Sequence, residues 1–400
     1  MNRTITSSTL HRATLPAVAV VYAAALLQGL TLVSFPALSG VLKTTFVLSD
    51  AAYGAIFLPQ VGAAVVGSLF SGALALRIGL KVLLVAALAT NTLSQITLYA
   101  SPALGYPGLL LGTGLLGLGF GLAAAPLNGY PLLFFAARKD SALVALHTLL
   151  GVGLAAGPLL AGQFAAGYGW QGYALLTAAL ALLLTALGAR VRLPPQSAAH
   201  APDHNPAQKP LATPAFWLLA AIGVLYAFAE GTFSNWAVIY LADTKHLSPM
   251  IAAFALSAFW ATLALGRLGI AALVLRVPAV WVWRVLPILM IAVFVALPQV
   301  NSTTSGIVLF ALAGLACSAF FPLTISLAAQ RFPTQVAWVS SMLTAALMVG
   351  VGLGSWAVGL ARDILTLEQL YVLSAGYPAA AIVLMLVLGR NAPRRDEHGT

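Results

Sequence analysis

The sequence predicts an all-α membrane protein of twelve transmembrane helices, arranged as two pseudo-symmetric six-helix bundles. Of its 400 residues, 61% are hydrophobic and 7% are charged, and the mean hydropathy is +0.97. Soluble domains carry roughly 25% charged residues, so water cannot be the solvent for most of this surface. The apolar runs are long and continuous, unlike the alternating pattern of membrane β-strands, so helices are expected to cross the bilayer.

Twelve apolar runs with short connections meet the requirement of about 20 apolar residues per membrane helix. In chain order we place them at residues 16–42, 50–76, 80–100, 106–136, 141–167, 170–190, 213–241, 249–275, 280–299, 305–331, 334–361 and 367–389. A segment rich in Pro, Ala and polar residues separates the sixth run from the seventh. We therefore predict an N-terminal six-helix bundle at 1–190, a cytoplasmic linker at 191–212 and a C-terminal six-helix bundle at 213–400.

The basic residues are distributed unevenly across the predicted spans. Sixteen of the nineteen Lys and Arg residues fall on the side of the termini and the linker, and the three exceptions are Lys43, Lys245 and Arg362. Cytoplasmic loops carry such an excess in membrane proteins. We therefore expect cytoplasmic termini and a multi-pass protein of the cell inner membrane. The net charge of +10 then reflects this asymmetry and does not indicate a nucleic-acid partner, and the expected surroundings are the lipid bilayer.

Several residues repeat between the two halves at an offset near 200. The matched pairs are Gln28 and Glu230, Gly153 and Gly350, Gly157 and Gly354, Gly162 and Gly359, Pro126 and Pro322, and Arg77 and Arg276. Small residues let helix backbones approach closely in lipid. Proline removes a backbone hydrogen bond, so kinks are expected at Pro126, Pro131, Pro158 and Pro322. We therefore expect the glycine rows to lie where the two halves meet and to take part in conformational gating.

The stretch from Gly72 to Lys81, after the second span, reads Gly-Ala-Leu-Ala-Leu-Arg-Ile-Gly-Leu-Lys. It resembles the cytoplasmic signature of the major facilitator superfamily, with Leu76 in place of the customary Asp. Residues 153–158 resemble the fifth-helix motif of the same superfamily. The resemblance covers nearly the whole chain. It implies a transporter that works by alternating access, in which Gly72, Arg77 and Lys81 belong to the gating machinery.

Four further stretches are similar to the fucose:proton symporter-like branch of that superfamily and its bacterial inner-membrane relatives. They lie at residues 147–153, 230–236, 265–268 and 320–324. This similarity implies a proton-coupled carrier for a small solute, often a sugar. We expect a monomer whose partners are a small-molecule substrate, protons and lipid. No cofactor or metal is expected, and the chain has no phosphate-binding loop through which ATP could drive it.

Glu230 is the one acidic residue placed near the middle of a span, where an ionised acid costs roughly 2.5–3.5 kcal/mol. Proton coupling requires a group that is charged when it faces one side and neutral in transit. Glu230 is therefore the leading candidate for coupling or substrate binding. The alternative is a structural role, in which its carboxyl group caps the backbone beside Gly231 or accepts a hydrogen bond from a Trp.

Other polar and aromatic side chains complete the candidate site. They are Gln28, Gln60, Asn128, His147, Asn235, Trp236 and Trp260. Amides bond to hydroxyl groups and rings stack on apolar faces, so this set suits a sugar-like or amphipathic solute. Each amide could instead only join helices, and His147 could relay protons, contact substrate or make a structural hydrogen bond. Arg267 could extend to the membrane interface, or act as a gate that pairs with a carboxylate.

These features favour proton-driven import of a small polar solute. The alternative within the same superfamily is an efflux pump for drugs or metabolites, whose cavity would be more apolar and lined by acids. An intramembrane enzyme would need a cluster of catalytic groups in one cavity, and the sequence indicates none, so we do not expect an enzyme.

Overall fold

The computed structural model describes residues 7–135, 138–194 and 210–390, with the side chains of all of these except 7–14, 139, 140 and 337. Over these residues the chain is helical apart from short connections, and it contains no β-strand. Most of the predicted linker, residues 195–209, lies outside the described residues, and so does the predicted cytoplasmic end of the chain after residue 390.

Twelve membrane helices, α1 to α12, follow one another along the chain. The first six are α1 (Ser7–Leu32, continued by Ser34–Ala37 and Ser39–Phe46), α2 (Asp50–Ala55 and Phe57–Ile78), α3 and α4 (both within Leu80–Phe134), α5 (Lys139–Gly167) and α6 (Gln171–Arg190). The last six are α7 (Pro214–Asn235, continued by Ala237–Ile239 and Tyr240–Thr244), α8 (Pro249–Leu273), α9 (Ala279–Ala296), α10 (Thr303–Cys317 and Phe320–Arg331), α11 (Val336–Ala361) and α12 (Leu367–Ser374 and Gly376–Arg390).

The helical run Leu80–Phe134 contains two of the twelve spans. A straight helix of its 55 residues would be about 80 Å long, and the hydrocarbon core is only about 30 Å thick. The run turns at Gly105, where φ is +66° and ψ is −158°, a conformation that glycine adopts without a Cβ clash. The described part of the chain contains eleven helical runs long and apolar enough to span a membrane. Division of this run at Gly105 gives twelve, and the predicted fold class is confirmed.

Equivalent helices of the two halves pack in equivalent ways. Within the first half α1 lies against α5, and within the second half α7 lies against α11. Between the halves, α5 packs on α8 and α11 packs on α2. An operation that exchanges the halves therefore converts one inter-half contact into the other, as expected of two pseudo-symmetric repeats.

Glycines allow the close crossings inside each half. Gly29 of α1 faces Gly153 of α5, and a Cβ added at Gly29 would lie 2.7 Å from the backbone N of Leu154. In the second half, a Cβ added at Gly350 would lie 2.6 Å from the Ala227 Cβ on α7. Gly157 packs on α1 and Gly354 packs on α7 in the same manner. The expectation that these four glycines lie between the halves is therefore wrong, because each joins helices of its own half.

A different set of glycines lies at the interface between the halves. A Cβ added at Gly162 of α5 would lie 2.9 Å from the Ala253 Cβ on α8. On the other side, Gly352 and Gly359 of α11 contact α2, and a Cβ added at Gly359 would lie 2.5 Å from the carbonyl oxygen of Asp50. Close backbone approach therefore occurs at both inter-half contacts, and it involves the third repeated pair, Gly162 and Gly359, and not the first two pairs.

α10 is interrupted near its middle, although a single span was predicted at 305–331. Its first segment ends at Cys317 and its second begins at Phe320. Pro322 has no N–H, so the carbonyl group of Ser318, four residues earlier, loses the donor that a regular helix would supply. The proline therefore explains where the helix breaks.

The outer surface of the bundle is apolar on its peripheral helices. Leu182 of α6, Ile288 of α9 and Val383 of α12 are each more than half exposed. In a bilayer these side chains contact hydrocarbon, while the helices satisfy their own backbone hydrogen bonds. Contact with hydrocarbon thus explains both the exposed apolar side chains and the high hydropathy of the sequence.

Candidate functional site

A cavity of about 870 Å³ lies between the two halves. Its walls come from α1, α2, α4 and α5 of the first half and from α11, with the turn before it, of the second half. The polar side chains in its lining are Gln28, Ser68, Ser71, Asn128, His147, Thr334, Gln335, Ser340, Ser341 and Thr344. Among the described residues of the lining, none is acidic and none is Lys or Arg.

The cavity extends along the bundle in one direction. Its deepest amide, Gln28, lies within α1, and its other limit is reached at Gly72 near the end of α2 and Thr334 just before α11. We call this end of the bundle the basic end, because Arg77 lies there in the last turn of α2 and Lys81 in the first turn of α3. The opposite end, where α1 meets α2, we call the sealed end.

Three of the predicted site residues line this cavity. Gln28 is buried, and its Nε2 donates to the carbonyl oxygen of Phe120 on α4 at 3.3 Å. Asn128 is exposed to the cavity, and its Nδ2 donates to the Ala124 carbonyl of its own helix at 2.8 Å. His147 of α5 also lies in the lining. Their remaining donors and acceptors are available to a bound solute.

Two other predicted residues, Gln60 and Trp260, lie outside the cavity lining. Both carry a buried polar atom, Oε1 of Gln60 and Nε1 of Trp260, that has no hydrogen-bond partner among the described residues. The ring of Trp260 packs edge-on against Phe259 at a centroid distance of 5.1 Å. In this conformation neither side chain can contact a solute held in the cavity.

Asn235 and Trp236 lie at the sealed end, and not in the cavity where they were expected. Asn235 Nδ2 donates to Ser355 Oγ of α11 at 2.6 Å, and Trp236 Nε1 donates to the Ser355 carbonyl at 3.3 Å. The Tyr53 hydroxyl of α2 donates to the Asn235 carbonyl at 2.8 Å. Since α2 and α7 belong to different halves, this last bond joins the halves. The three side chains are buried and leave no opening among them.

Charged residues join the halves next to this buried layer. Asp50 at the start of α2 accepts hydrogen bonds from Lys43 of α1 and from Arg362 Nε of α11, the second at 2.9 Å. Lys43 also lies 4.0 Å from the Asp243 carboxylate at the end of α7. Lys245 pairs with Glu368 and donates to the Pro298 carbonyl at 2.6 Å. Two of these ion pairs, Asp50–Arg362 and Lys43–Asp243, cross from one half to the other.

This charged cluster was not predicted, although the sequence carries a signal for it. Lys43, Lys245 and Arg362 are the three basic residues that fall on the opposite side from the other sixteen. A basic residue on the side that carries few basic residues is expected to have a specific partner nearby. Here each of the three pairs with a carboxylate, in a chain that has only nine Asp and Glu residues.

Glu230 lies on α7, in the second half and away from the cavity lining. Its carboxyl group is beside the hydroxyl of Tyr226, one turn earlier, and within electrostatic range of Arg267 on α8. No described basic group lies within 4.0 Å of the carboxylate. Arg267 Nε donates to the Ser318 carbonyl of α10 at 3.0 Å, and Arg267 is also within electrostatic range of His147. Arg267 is therefore within electrostatic range both of the carboxyl group and of one residue of the cavity lining.

The residues of the predicted cytoplasmic signature lie at the basic end. Gly72 lines the cavity with open space beside its Cα. Arg77 and Lys81 form no ion pair with a described side chain. Pro158 lies buried within α5, which continues past it as one helix.

Comparison with known proteins agrees with this architecture. The family model described as Major Facilitator Superfamily matches residues 20–310. A solved bacterial homolog to the human lysosomal transporter Spinster, in an inward-facing and occupied conformation, superposes with a TM-score of 0.77 at 15% identity, covering 94% of this chain and 96% of that one. The nucleoside transporter NupG gives a TM-score of 0.75 at 15% identity, covering 93% and 99%. No curated protein matches the chain significantly.

The family match spans well over half of the chain, and the structural matches share its fold over nearly their whole length. Twelve helices in two related halves, with a cavity between them, are the architecture of a transporter for small solutes and not of an enzyme. The chain belongs to the Major Facilitator Superfamily.

Proposed function

We propose that this protein imports a small, uncharged, sugar-like or amphipathic solute across the inner membrane, driven by protons. The lining of the cavity is the observation that carries the proposal. It presents hydroxyl and amide groups from both halves together with the rings of Phe120 and Trp338. Hydroxyl-rich solutes with an apolar face match such a lining, whereas a charged solute would need a counter-ion that the described lining lacks.

Alternating access would follow from the contacts at the two ends. In this conformation the cavity extends to the basic end, and the Asp50–Arg362 pair and the Tyr53–Asn235 bond join the halves at the sealed end. Rotation of one half against the other would break these contacts and close the basic end. The proposed inward orientation of the basic end rests on the positive-inside rule, and we propose the half boundaries at 190 and 213 with a monomeric functional unit.

Glu230 is the proposed proton-coupling residue. It lies beside Tyr226 and near a guanidinium group with which it forms no close ion pair. Its protonation would therefore change the net charge of the group of residues between α7, α8 and α10. The similarity of residues 230–236 and 320–324 to the fucose:proton symporter-like branch supports the same assignment.

Transport by purified protein in proteoliposomes would test this function. A thermal-shift screen of monosaccharides, polyols and nucleosides, the last because NupG is a nucleoside transporter, would select solutes for uptake under an imposed pH gradient. Wild-type protein should accumulate a selected solute when the outside is acidic. Glu230→Gln should lose this accumulation and keep exchange of labelled for unlabelled solute, because exchange needs no net proton movement.

Asp363→Asn is the matched control for loss of one carboxylate. Asp363 is exposed at the sealed end and forms no ion pair with a described residue, so its variant should accumulate solute like the wild type. Full accumulation by Glu230→Gln would overturn the coupling role. Absence of uptake of every stabilising solute would overturn the import proposal.

An efflux pump is the second candidate, and the apolar part of the lining favours it. Met342, Met348, Phe120 and Trp338 line the cavity, and flexible Met side chains adapt to varied apolar ligands. Stabilisation by lipophilic cations, with no response to sugars or nucleosides, would support efflux. The opposite pattern would support import.

A further inference from the structure

The break in α10 exposes backbone carbonyl groups inside the membrane bundle. Ser318 and Ala319 separate the segments Thr303–Cys317 and Phe320–Arg331, and Pro322 removes the regular donor to the Ser318 carbonyl. An unpaired carbonyl in hydrocarbon costs several kcal/mol. A break at this depth therefore needs donors from other helices.

Two side chains from neighbouring helices supply these donors. The Tyr226 hydroxyl of α7 donates to the Cys317 carbonyl at 3.0 Å, and Arg267 Nε of α8 donates to the Ser318 carbonyl at 3.0 Å. Tyr226 also stacks on Phe320 with a centroid distance of 5.4 Å. A Cβ added at Gly266 would lie 2.7 Å from the Ser318 Cβ, so α8 lies directly on the break.

Glu230 lies close to both of these donors. Its carboxyl group is beside the Tyr226 hydroxyl and within electrostatic range of Arg267. The described titratable groups that face it are Tyr226 on its own helix, Arg267 on α8 and Cys317 on α10, and His147 of α5 acts on the far side of Arg267. The two terminal guanidinium nitrogens of Arg267 form no hydrogen bond with any described residue, so they are free to pair with a carboxylate.

We propose that Arg267 is a positioning residue that transmits the charge of Glu230 to the break in α10. While Glu230 is protonated, Arg267 stays on the Ser318 carbonyl, as in this structure. When the carboxyl group releases its proton, the guanidinium group moves toward the resulting anion and leaves Ser318 without a donor. This inference rests on the proposed coupling role of Glu230 and adds the part of the fold that responds to it.

Release of Ser318 would change the geometry of the cavity. The segment Phe320–Arg331 would no longer be fixed against α8, and it leads directly into Thr334 and Gln335 of the cavity lining. A change in its angle would therefore move one wall of the solute site. Proton loss at Glu230 and the shape of the cavity would be linked through one hydrogen bond.

Cys317 allows a test that needs no substrate. It is the one cysteine of the chain, it lies at the break and it is fully buried, so maleimide reaction at Cys317 reports local opening of the break. The full-length protein in lipid nanodiscs would be labelled with N-ethylmaleimide between about pH 5 and about pH 9. Because thiolate formation alone raises the rate with pH, the wild-type rate is divided by the Glu230→Gln rate at each pH.

The ratio should be near one at the acidic limit, where both side chains are neutral. It should rise roughly tenfold at the basic limit, the size expected for loss of a hydrogen bond from a charged donor. A ratio that stays flat overturns the proposal. So does a flat Glu230→Gln ratio together with a rising ratio of the wild-type rate to the His147→Gln rate, because the responding group would then be His147.

Variants of the arginine give an independent readout. Arg267→Gln should label rapidly, and at the same rate whether or not Glu230→Gln is also present. Arg267→Lys keeps the charge, so its labelling rate divided by that of the Arg267→Lys, Glu230→Gln double variant should still rise with pH. Arg276→Gln, which removes an exposed charge just beyond α8, should behave like the wild type. If Arg267→Gln does not fold, the Lys variant and the Glu230→Gln ratio still decide the question.

The result can be separated from the transport experiment. A flat labelling ratio together with lost uphill transport in Glu230→Gln would overturn the link to α10 and leave the coupling role. A pH-dependent ratio together with full uphill transport in Glu230→Gln would support the link to α10 and overturn the coupling role.

Discussion

Asp50 makes two contacts that differ in what they join. Lys43 belongs to the same half, and Arg362 belongs to the other half. The Asp50 side chain is 16% exposed and that of Arg362 is 26% exposed, so the pair is intermediate between surface ion pairs and buried ones. A carboxylate in this position stabilises the closed sealed end more than any neutral side chain of the same size.

Replacement of Asp50 by Asn should shift the protein toward opening at the sealed end. Loss of the charge should cost about 1–2 kcal/mol, between the values of exposed and buried ion pairs, and this corresponds to roughly tenfold more opening. Hydrogen–deuterium exchange of peptides that cover residues 48–57 and 352–362 would measure the change. Asp363→Asn, next to Arg362 in the chain, serves as the control. Equal exchange in Asp50→Asn and Asp363→Asn would contradict the prediction.

Single residues were only partly predictable from the sequence. Gln28, Asn128 and His147 were expected near the centre and do line one cavity, because polar side chains in a membrane helix avoid lipid. Asn235 was expected there too, but it bonds Ser355 at the sealed end. The position of Asn235 within a membrane span could be predicted from the sequence. Its hydrogen-bond partner could not, because that partner depends on the packing of α11 against α7, which no local pattern encodes.

At the scale of helices, the crossing of α1 and α5 depends on the absence of side chains at two positions. Gly29→Ala would place a methyl group 2.7 Å from Leu154 N, and a crowded backbone cannot move aside as a flexible side chain does. The expected loss of stability is about 1–3 kcal/mol, the usual range for overpacking. The melting temperature of the purified protein in detergent would measure it.

Gly62 of α2 provides the matched control for this substitution. It also lies inside a membrane helix, but a Cβ added there would meet nothing within 4 Å. Gly62→Ala should therefore leave stability unchanged or raise it by up to about 1 kcal/mol, because alanine favours the helix. A Gly29→Ala melting temperature equal to that of Gly62→Ala would show that the crossing is looser than the structure indicates.

The helices themselves were largely predictable, and their interruptions were not. Hydropathy placed the boundary between α3 and α4 close to Gly105, because Pro and Gly residues end the apolar run there. A kink at Pro322 was expected, but the interruption of α10 over Ser318 and Ala319 was not, since Cys317 to Phe321 is as apolar as the helix around it. Hydropathy responds to composition, whereas the break depends on the missing N–H of Pro322 and on donors from α7 and α8.

At the scale of the whole molecule, the two ends differ in charge and in packing. The basic end carries Arg77, Lys81 and the cavity, and the sealed end carries the paired cations. From the positive-inside rule we propose that the basic end faces the cytoplasm. This assignment determines whether the cavity seen in the structure receives solute from the cell or delivers solute into it.

Reporter fusions would test the orientation directly. Green fluorescent protein fused after Thr400 should fluoresce, because it folds in the cytoplasm. Alkaline phosphatase fused after Val47, at the connection between α1 and α2, should be active, because that enzyme needs the periplasm. Activity of a phosphatase fusion placed at Lys81, between α2 and α3, would reverse the assignment.

The pairing of charges at the sealed end also has an electrical consequence. Moving one elementary charge through the membrane potential changes the energy by roughly 2.3 kcal/mol per 100 mV. Lys43, Arg362, Asp50 and Asp243 carry equal numbers of positive and negative charges, so their joint rearrangement moves almost no net charge through the field. A voltage across the membrane should then alter proton-driven uptake far more than solute exchange.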